Sequence, residues 1–261
     1  ESLTLSRAGG DTRGVATTLN NLGIIVRDLG DYDRAAALYR ESMLLYEQLG
    51  DRRGIAVASN NLGMLATDRE AYDEAEAWLQ RGLSGFRDIG HARGVGNALH
   101  NLGEAAQRRG DYERAAGYLH ESLRVSGELD CKEMVASSTW TLGAVSNALG
   151  DQEKAARLYE EALAMQRELG NKSGIANALD GFACVAAARG EARRALRLSG
   201  AAAALREAIK AELSPSERAV LDNGLTRARR ELDGEAAARA FEEGRTMPLE
   251  QAIAYALEGG Q

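Results

Sequence analysis

Hydrophobic and polar residues follow one another along this chain in a pattern that returns every forty residues. Leu22-Gly23, Leu62-Gly63, Leu102-Gly103 and Leu142-Gly143 share one position of that pattern, and a fifth copy reads Phe182-Ala183. Twelve residues after each of these positions stands an alanine, Ala35, Ala75, Ala115, Ala155 and Ala195. Four residues later comes a large side chain, Tyr39, Leu79, Leu119 and Tyr159, with Ser199 in the last copy. Loop signals keep the same interval: Gly30-Asp31, Gly110-Asp111 and Gly150-Asp151 form one series, and Gly50-Asp51, Gly90-His91 and Gly170-Asn171 the other. A glycine just past a helix takes the left-handed conformation that closes the last turn, and the Asp or Asn after it caps the next helix by accepting its free backbone N–H groups. Two such signals per unit predict first helices near 12–28, 52–68, 92–108, 132–148 and 172–188, and second helices near 32–48, 72–88, 112–128, 152–168 and 192–211. Each regular helix is then about 25 Å long at 1.5 Å per residue. A glycine inside a helix costs about 1 kcal/mol against alanine. Its return at Gly23, Gly63, Gly103 and Gly143 therefore predicts a close crossing where a Cβ would clash, with the alanine of the Ala35 series as the facing residue.

Leu-Gly followed twelve residues later by Ala-x-x-x-large resembles the tetratricopeptide repeat (TPR), whose helix pairs stack into a superhelix with the first helices lining a concave face. The forty-residue unit with Gly-Asp loops, as in Gly50-Asp51-Arg52-Arg53-Gly54 to Asn60-Asn61-Leu62-Gly63, resembles the long-helix subclass of Leu-Gly-Asn-rich polarity adaptors and many bacterial signalling proteins. The resemblance implies an all-α fold, a right-handed TPR superhelix of stacked antiparallel helix pairs with a C-terminal helical cap. It divides the chain into repeats at 11–50, 51–90, 91–130, 131–170 and a degenerate fifth at 171–212, with the cap at 213–261. Glu70-Ala71 departs from Gly-Asp, and Met134 replaces the glycine seen at Gly14, Gly54, Gly94 and Gly174, so the fourth junction is expected to bend differently.

The two ends differ. Glu1-Ser2-Leu3 aligns with Glu41-Ser42-Met43 and Glu121-Ser122-Leu123, so residues 1–10 read as the second helix of a truncated preceding repeat. Solenoids expose apolar stacking surface unless an end is covered. The expectation is that more polypeptide precedes Glu1 and that the open N-terminal face offers a surface for end-to-end self-association. At the other end Ser214-Pro215-Ser216-Glu217 is a helix start, with Ser214 as cap, Pro215 at the first helical position and Glu217 completing a capping box. Leu221, Leu225, Ala228 and Leu232 share one face, a short helix follows around 234–243, and Leu249, Ala252, Ile253, Ala256 and Leu257 form a final stripe. The segments from Gly200 to Ala208, from Leu213 to Arg218 and from Phe241 to Ala252 resemble the C-terminal end of large bacterial regulators, in which a STAND-type nucleotide-binding switch domain precedes a TPR array. That resemblance makes this chain a sensor or partner-binding arm.

Composition narrows the function. Proline occurs only at Pro215 and Pro248, 27% of residues are charged and 5% are aromatic, which suits many Ala-rich amphipathic helices. The net charge of −7 argues against direct nucleic-acid binding, because phosphate contacts need clustered Lys and Arg. Cys131 and Cys184 form no CxxC pair and fit inert thiols in a reducing, cytoplasmic setting. The uncharged run from Met134 to Gly150 is too polar for a membrane span. No catalytic constellation stands out: Gly82-Leu83-Ser84-Gly85-Phe86 misses the nucleophile elbow, no glycine run ends in GK[ST], and His91, His100 and His120 lack metal-ligand spacing. No cofactor, no metal and no enzymatic activity are expected.

Function is then expected in the groove. In the TPR register the groove-facing positions are Thr17, Asn20, Ile24 and Arg27; Val57, Asn60, Met64 and Thr67; Asn97, His100, Glu104 and Gln107; Ser137, Trp140, Ala144 and Asn147; then Asn177, Asp180 and Cys184. Side-chain amides carry both a donor and an acceptor, so Asn20, Asn60, Asn97, Gln107 and Asn147 are candidates to grip the backbone of a bound peptide. Trp140 fits either a groove anchor or the core. Asn21, Asn61 and Asn101 read as interhelix hydrogen-bonders, and Arg13, Arg53 and Arg93 as a basic row that Asp11 and Asp51 neutralise. The polarity adaptors place arginine at the Thr17 position; Thr17, Val57, Asn97, Ser137 and Asn177 stand there instead, which argues against acidic peptides. The leading expectation is a non-catalytic protein- or peptide-binding module in a bacterial signalling or transcriptional regulator. The alternatives are a free-standing adaptor joining two partners and a hydrolase or transferase using a perturbed acid pair in a deep pocket.

Overall fold

The turns set the architecture. Seven glycines, including Gly30, Gly50 and Gly110, hold positive φ between helices, and Asp31, Asp51, Asp111 and Asp151 each accept a hydrogen bond from the backbone N–H three residues on. His91 performs the same task with Nδ1, which accepts from Gly94 N at 2.9 Å. A computed structural model describes residues 11–258, and among the described residues there are thirteen α-helices and no strand. Residues 1–10, read above as part of a preceding repeat, lie outside the described residues.

The chain divides into two compact units at Leu129/Asp130. The first holds α1 (Thr12–Asp28), α2 (Tyr32–Gln48), α3 (Arg52–Asp68), α4 (Tyr72–Asp88), α5 (Ala92–Arg109) and α6 (Tyr112–Glu128). The second holds α7 (Lys132–Ala148), α8 (Gln152–Glu168), α9 (Lys172–Ala188), α10 (Ala192–Ile209), α11 (Pro215–Glu231), α12 (Gly234–Arg245) and α13 (Leu249–Leu257). The expected helices appear within a residue or two of their predicted ends, α10 stopping at Ile209 where Lys210 turns left-handed.

Within each pair the forty-residue motif acts as a lock. Ala35, Ala75, Ala115, Ala155 and Ala195 are all fully buried, as are Tyr39, Leu79 and Leu119. The expected partner of the glycine needs correction. A Cβ on Gly63 would lie 2.5 Å from Leu79 Cγ and 3.1 Å from the Ala75 carbonyl oxygen, and one on Gly23 would lie 2.6 Å from Tyr39 Cε1. The large residue presses into the space over the glycine, and the alanine contributes its backbone. Burying these side chains, at ~25 cal/mol per Å² of apolar surface, drives the pairing. Ser42 Oγ adds a bond to the Ala16 carbonyl at 2.7 Å, and Ser122 Oγ one to Gly96 at 3.0 Å.

In the second unit the capping box forms as read: Ser214 Oγ accepts from Glu217 N and Glu217 Oε2 accepts from Ser214 N at 2.8 Å. Leu225 and Ala228 of α11 are fully buried. A Cβ on Gly224 would come within 2.6 Å of Cys184 Sγ, forty residues earlier, so α11 still keeps the repeat's step against α9. The step is lost at α12, which packs on α10 with backbones in contact: a Cβ on Gly200 would meet the Phe241 carbonyl and one on Gly244 the Arg197 carbonyl. Ala252, Ile253 and Ala256 bury the stripe of α13.

Candidate functional site

In the first unit α1, α3 and α5 share one face, and the structure brings most of the expected groove residues together there. Asn61 Nδ2 donates to Asn20 Oδ1 at 2.9 Å and Asn101 Nδ2 donates to Asn60 Oδ1 at 3.1 Å, so two of the residues before Leu-Gly are interhelix hydrogen-bonders, whereas Asn21 is exposed. The reading of Asn20 as a ligand-gripping amide is corrected by the same bond, since Asn20 is only 5% exposed and its oxygen is spent on Asn61. Thr17 meets the Tyr46 hydroxyl at 3.1 Å, which adds a second-helix side chain to the face. Asn97 is exposed, and Asn60 and Gln107 are half-buried.

The charges on this face are tied to one another. Arg27 Nη2 lies 2.9 Å from Asp28, and its Nε 3.5 Å from Asp68. Arg108 Nη1 lies 3.0 Å from Asp68 and its Nη2 2.5 Å from Glu104. Arg27 Nη1 also donates to Met64 Sδ at 3.6 Å. Burial opposes the charge on both arginines, yet Asp68 holds Arg27, and Glu104 with Asp68 holds Arg108, above the usual guanidinium value. Burial would push Glu104 up, but Arg108 and then His100 more than reverse this and keep the carboxylate ionised. His100 is pulled below the ordinary imidazole value by burial, with Glu104 opposing, so it is neutral near pH 7. Asp68, Arg108 and Tyr46 were not singled out in the sequence. The i, i+4 spacing of Glu104 and Arg108, and the forty-residue step from Asp28 to Asp68 to Arg108, are the signals that point to the first two.

The second unit places its expected residues differently. Trp140 Nε1 donates to the Asn177 carbonyl at 2.9 Å, and the indole meets the Tyr159 ring in a tilted contact at 6.4 Å between centroids; the side chain is half-buried and its polar end is already used. Asp180, expected on the groove, is 6% exposed and paired with Arg206 at 2.6 Å; Arg206 also donates to Asn177 Oδ1 at 2.7 Å. A buried carboxylate requires a counter-charge, and α10 supplies it. Arg206 stands in step with Tyr46, Phe86 and Gln166, so forty-residue periodicity could have found it. Burial nonetheless pushes Asp180 up to about 6 against the pull of Arg206, and its Oδ1 has no hydrogen-bond partner. Asn147 Oδ1 is likewise buried without a partner. Burial, with Asp180 close by, pushes the Cys184 thiol up to about 12, which keeps it protonated and unreactive. Ser137 is exposed and bonds its own helix.

Among the described residues no group of three His, Cys, Asp or Glu could hold a metal ion, and no helix is long and apolar enough to cross a membrane. Of the basic row, Arg13 pairs with Asp51 at 3.2 Å. On the face of α1, α3 and α5 the carboxylates of Asp28, Asp68 and Glu104 are each bound by arginine, and Glu104 is held below the usual carboxylate value.

Comparison with known proteins agrees with the helix pairing. The sequence profile of the tetratricopeptide repeat matches residues 14–88, 54–128 and 94–168. No curated protein sequence matches the chain. Among solved structures, BtubC (BKLC) from P. vanneervenii is similar at 22% identity over 81% of this chain and 89% of that one, with a TM-score of 0.63. A Rap protein complexed with Competence and Sporulation Factor is similar at 15% identity over 94% and 72%, TM-score 0.68. The Rap conjugation gene regulator of the plasmid pLS20, in complex with the Phr* peptide, gives 16% identity over 93% and 74%, TM-score 0.60. At these identities the likeness is one of fold.

Proposed function

This chain belongs to the tetratricopeptide repeat family, and from that premise we propose that it is a non-catalytic module that binds a protein or peptide on the shared face of α1, α3 and α5. The observation that carries the reading is the way that face is built. Interhelix amide bonds and arginine–carboxylate pairs tie three helices into one polar surface, while Asn97 and Gln107 present amides for a peptide backbone and half-buried Asn60, its oxygen taken by Asn101, offers its N–H donors. Such preorganisation lowers the ordering cost of binding. Two of the similar structures contain a peptide or a named factor, which supports the same kind of ligand here.

The tail resemblance supports a place for the chain in a bacterial signalling or transcriptional regulator of the STAND kind, as its partner-binding arm in the cytoplasm. Ile25 on α1 and Leu29 just past its end, 58% and 78% exposed, support end-to-end association of copies as a further property. Binding is tested by selecting a random twelve-residue peptide library on the chain and re-measuring binders against Asn97→Ala/Gln107→Ala; undiminished binding would remove the proposed face. Sequencing the gene upstream of Glu1 tests the context. A nucleotide-binding switch region supports the regulator arm, and one further repeat alone leaves a free-standing adaptor.

A further inference from the structure

Five charged side chains cross the face of the first unit in an alternating row: Asp28, Arg27, Asp68, Arg108 and Glu104, with separations of 2.9, 3.5, 3.0 and 2.5 Å. The row begins and ends on a carboxylate, so three negative groups face two positive ones and one negative charge is left over. Its position can be argued from exposure. Asp28 is 57% exposed, where water screens it, whereas Glu104 is 25% exposed and its neighbours Asp68 and Arg108 14% each. An uncompensated charge weighs more where solvent is scarce, so the surplus is felt at the Glu104 end of the row. Arg108 engages one oxygen of Glu104, Oε1, and divides its charge between Glu104 and Asp68. His100, also facing Glu104, is neutral near pH 7 and adds no positive charge.

We propose that the peptide bound by this face carries one lysine or arginine whose cationic head docks against Glu104, while Asn60, Asn97 and Gln107 hold the peptide backbone. The inference rests on the peptide-binding reading above and names its ligand class. An acidic side chain finds both guanidinium groups already committed and meets the carboxylates of Asp68 and Glu104. A cation completes the row as a sixth alternating member, and desolvated charge pairs of this kind couple strongly.

The test uses peptides selected from the random library on the intact chain. The expected consensus contains one Lys or Arg, and replacing that residue by Gln in the best peptide weakens binding to the wild type by about tenfold in fluorescence anisotropy. Against Glu104→Gln the same peptide replacement has little further effect. Because the peptide-side change leaves the protein untouched, the first measurement does not depend on how the variant folds. A neutral or acidic consensus overturns the cation while leaving peptide binding intact, as does an undiminished Lys/Arg effect in Glu104→Gln. A library that yields no binder overturns both readings.

Discussion

At the scale of single residues, the same amino acid does opposite things according to what surrounds it. Gly117 lies on the exposed side of α6 with open space where a Cβ would go, so Gly117→Ala should stabilise the protein by about 0.5–1 kcal/mol through helix propensity. A Cβ on Gly244 would fall on the Arg197 carbonyl, backbone that no rotamer change can move, and Gly244→Ala should cost about 3 kcal/mol. Urea denaturation of the two variants checks both signs. Asp180 yields a pH prediction. Its carboxyl is raised from 3.8 to about 6 in the folded state, so the native protein holds a proton that the unfolded chain releases. The associated stability is fully present below about pH 4 and is lost as pH rises through about 6, on the order of 3 kcal/mol in all. The stability of the wild type should therefore fall relative to Asp180→Asn between pH 4 and 7; a constant difference across that window would contradict the buried pair. The Asp180–Arg206 pair was invisible to a reading that used the first-helix register alone, because the arginine comes from a second helix, at a position occupied by Tyr46 and Phe86 in earlier repeats.

At the scale of elements, helix ends were the most legible feature, because Gly-Asp states its conformation and its cap in two adjacent letters. The departures are equally informative. Glu70 adopts φ of 60° where seven of the turns have glycine, as Asp130 and Lys210 do at their turns, and Ala71 gives α4 no side-chain cap. A side chain in the left-handed region costs roughly 1–2 kcal/mol, and a missing cap about 1 kcal/mol. Glu70→Gly and Ala71→Asp should each raise stability by about 1 kcal/mol, and nearly additively if the turn keeps its present path. Urea midpoints of the two variants and of the pair decide this. What the pattern did not reveal was the seating of the tail. The apolar stripe of α11 was plain, but its tight approach to Cys184 through Gly224, and the crossing of α12 over α10 through Gly200 and Gly244, depend on tertiary geometry that a local period does not encode. Only Leu225 and Ala228 of the seventeen residues in α11 are buried, so little apolar contact holds that helix in place. Its amides should exchange with solvent well before those of α9, most of whose residues are buried.

At the scale of the whole molecule, repetition explains both what could be read in advance and what could not. A position that recurs every forty residues is sampled several times in one sequence, so the Leu-Gly, Ala and large-residue lock and the all-helical fold are statements about averages. The candidate face is built largely from the deviations: Arg27, Glu104 and Arg108 each occupy a position where other repeats carry a different residue, Asp68 repeats Asp28, and their pairing follows only when three helices are set side by side. The same architecture governs how a perturbation spreads. In a stacked array stability is approximately a sum of terms within repeats and between neighbours, so a lesion is felt locally. Gly63→Ala forces a methyl group against Leu79 and the Ala75 carbonyl inside the α3/α4 pair of the first unit. Overpacking of this kind costs about 1–3 kcal/mol. Native-state hydrogen exchange should show faster exchange in α3 and α4 of the variant, a smaller change in α2 and α5, and unchanged protection in α9 and α10. Uniform loss of protection through both units would instead mean that the chain unfolds as one cooperative body, and the nearest-neighbour picture would have to be abandoned for this protein.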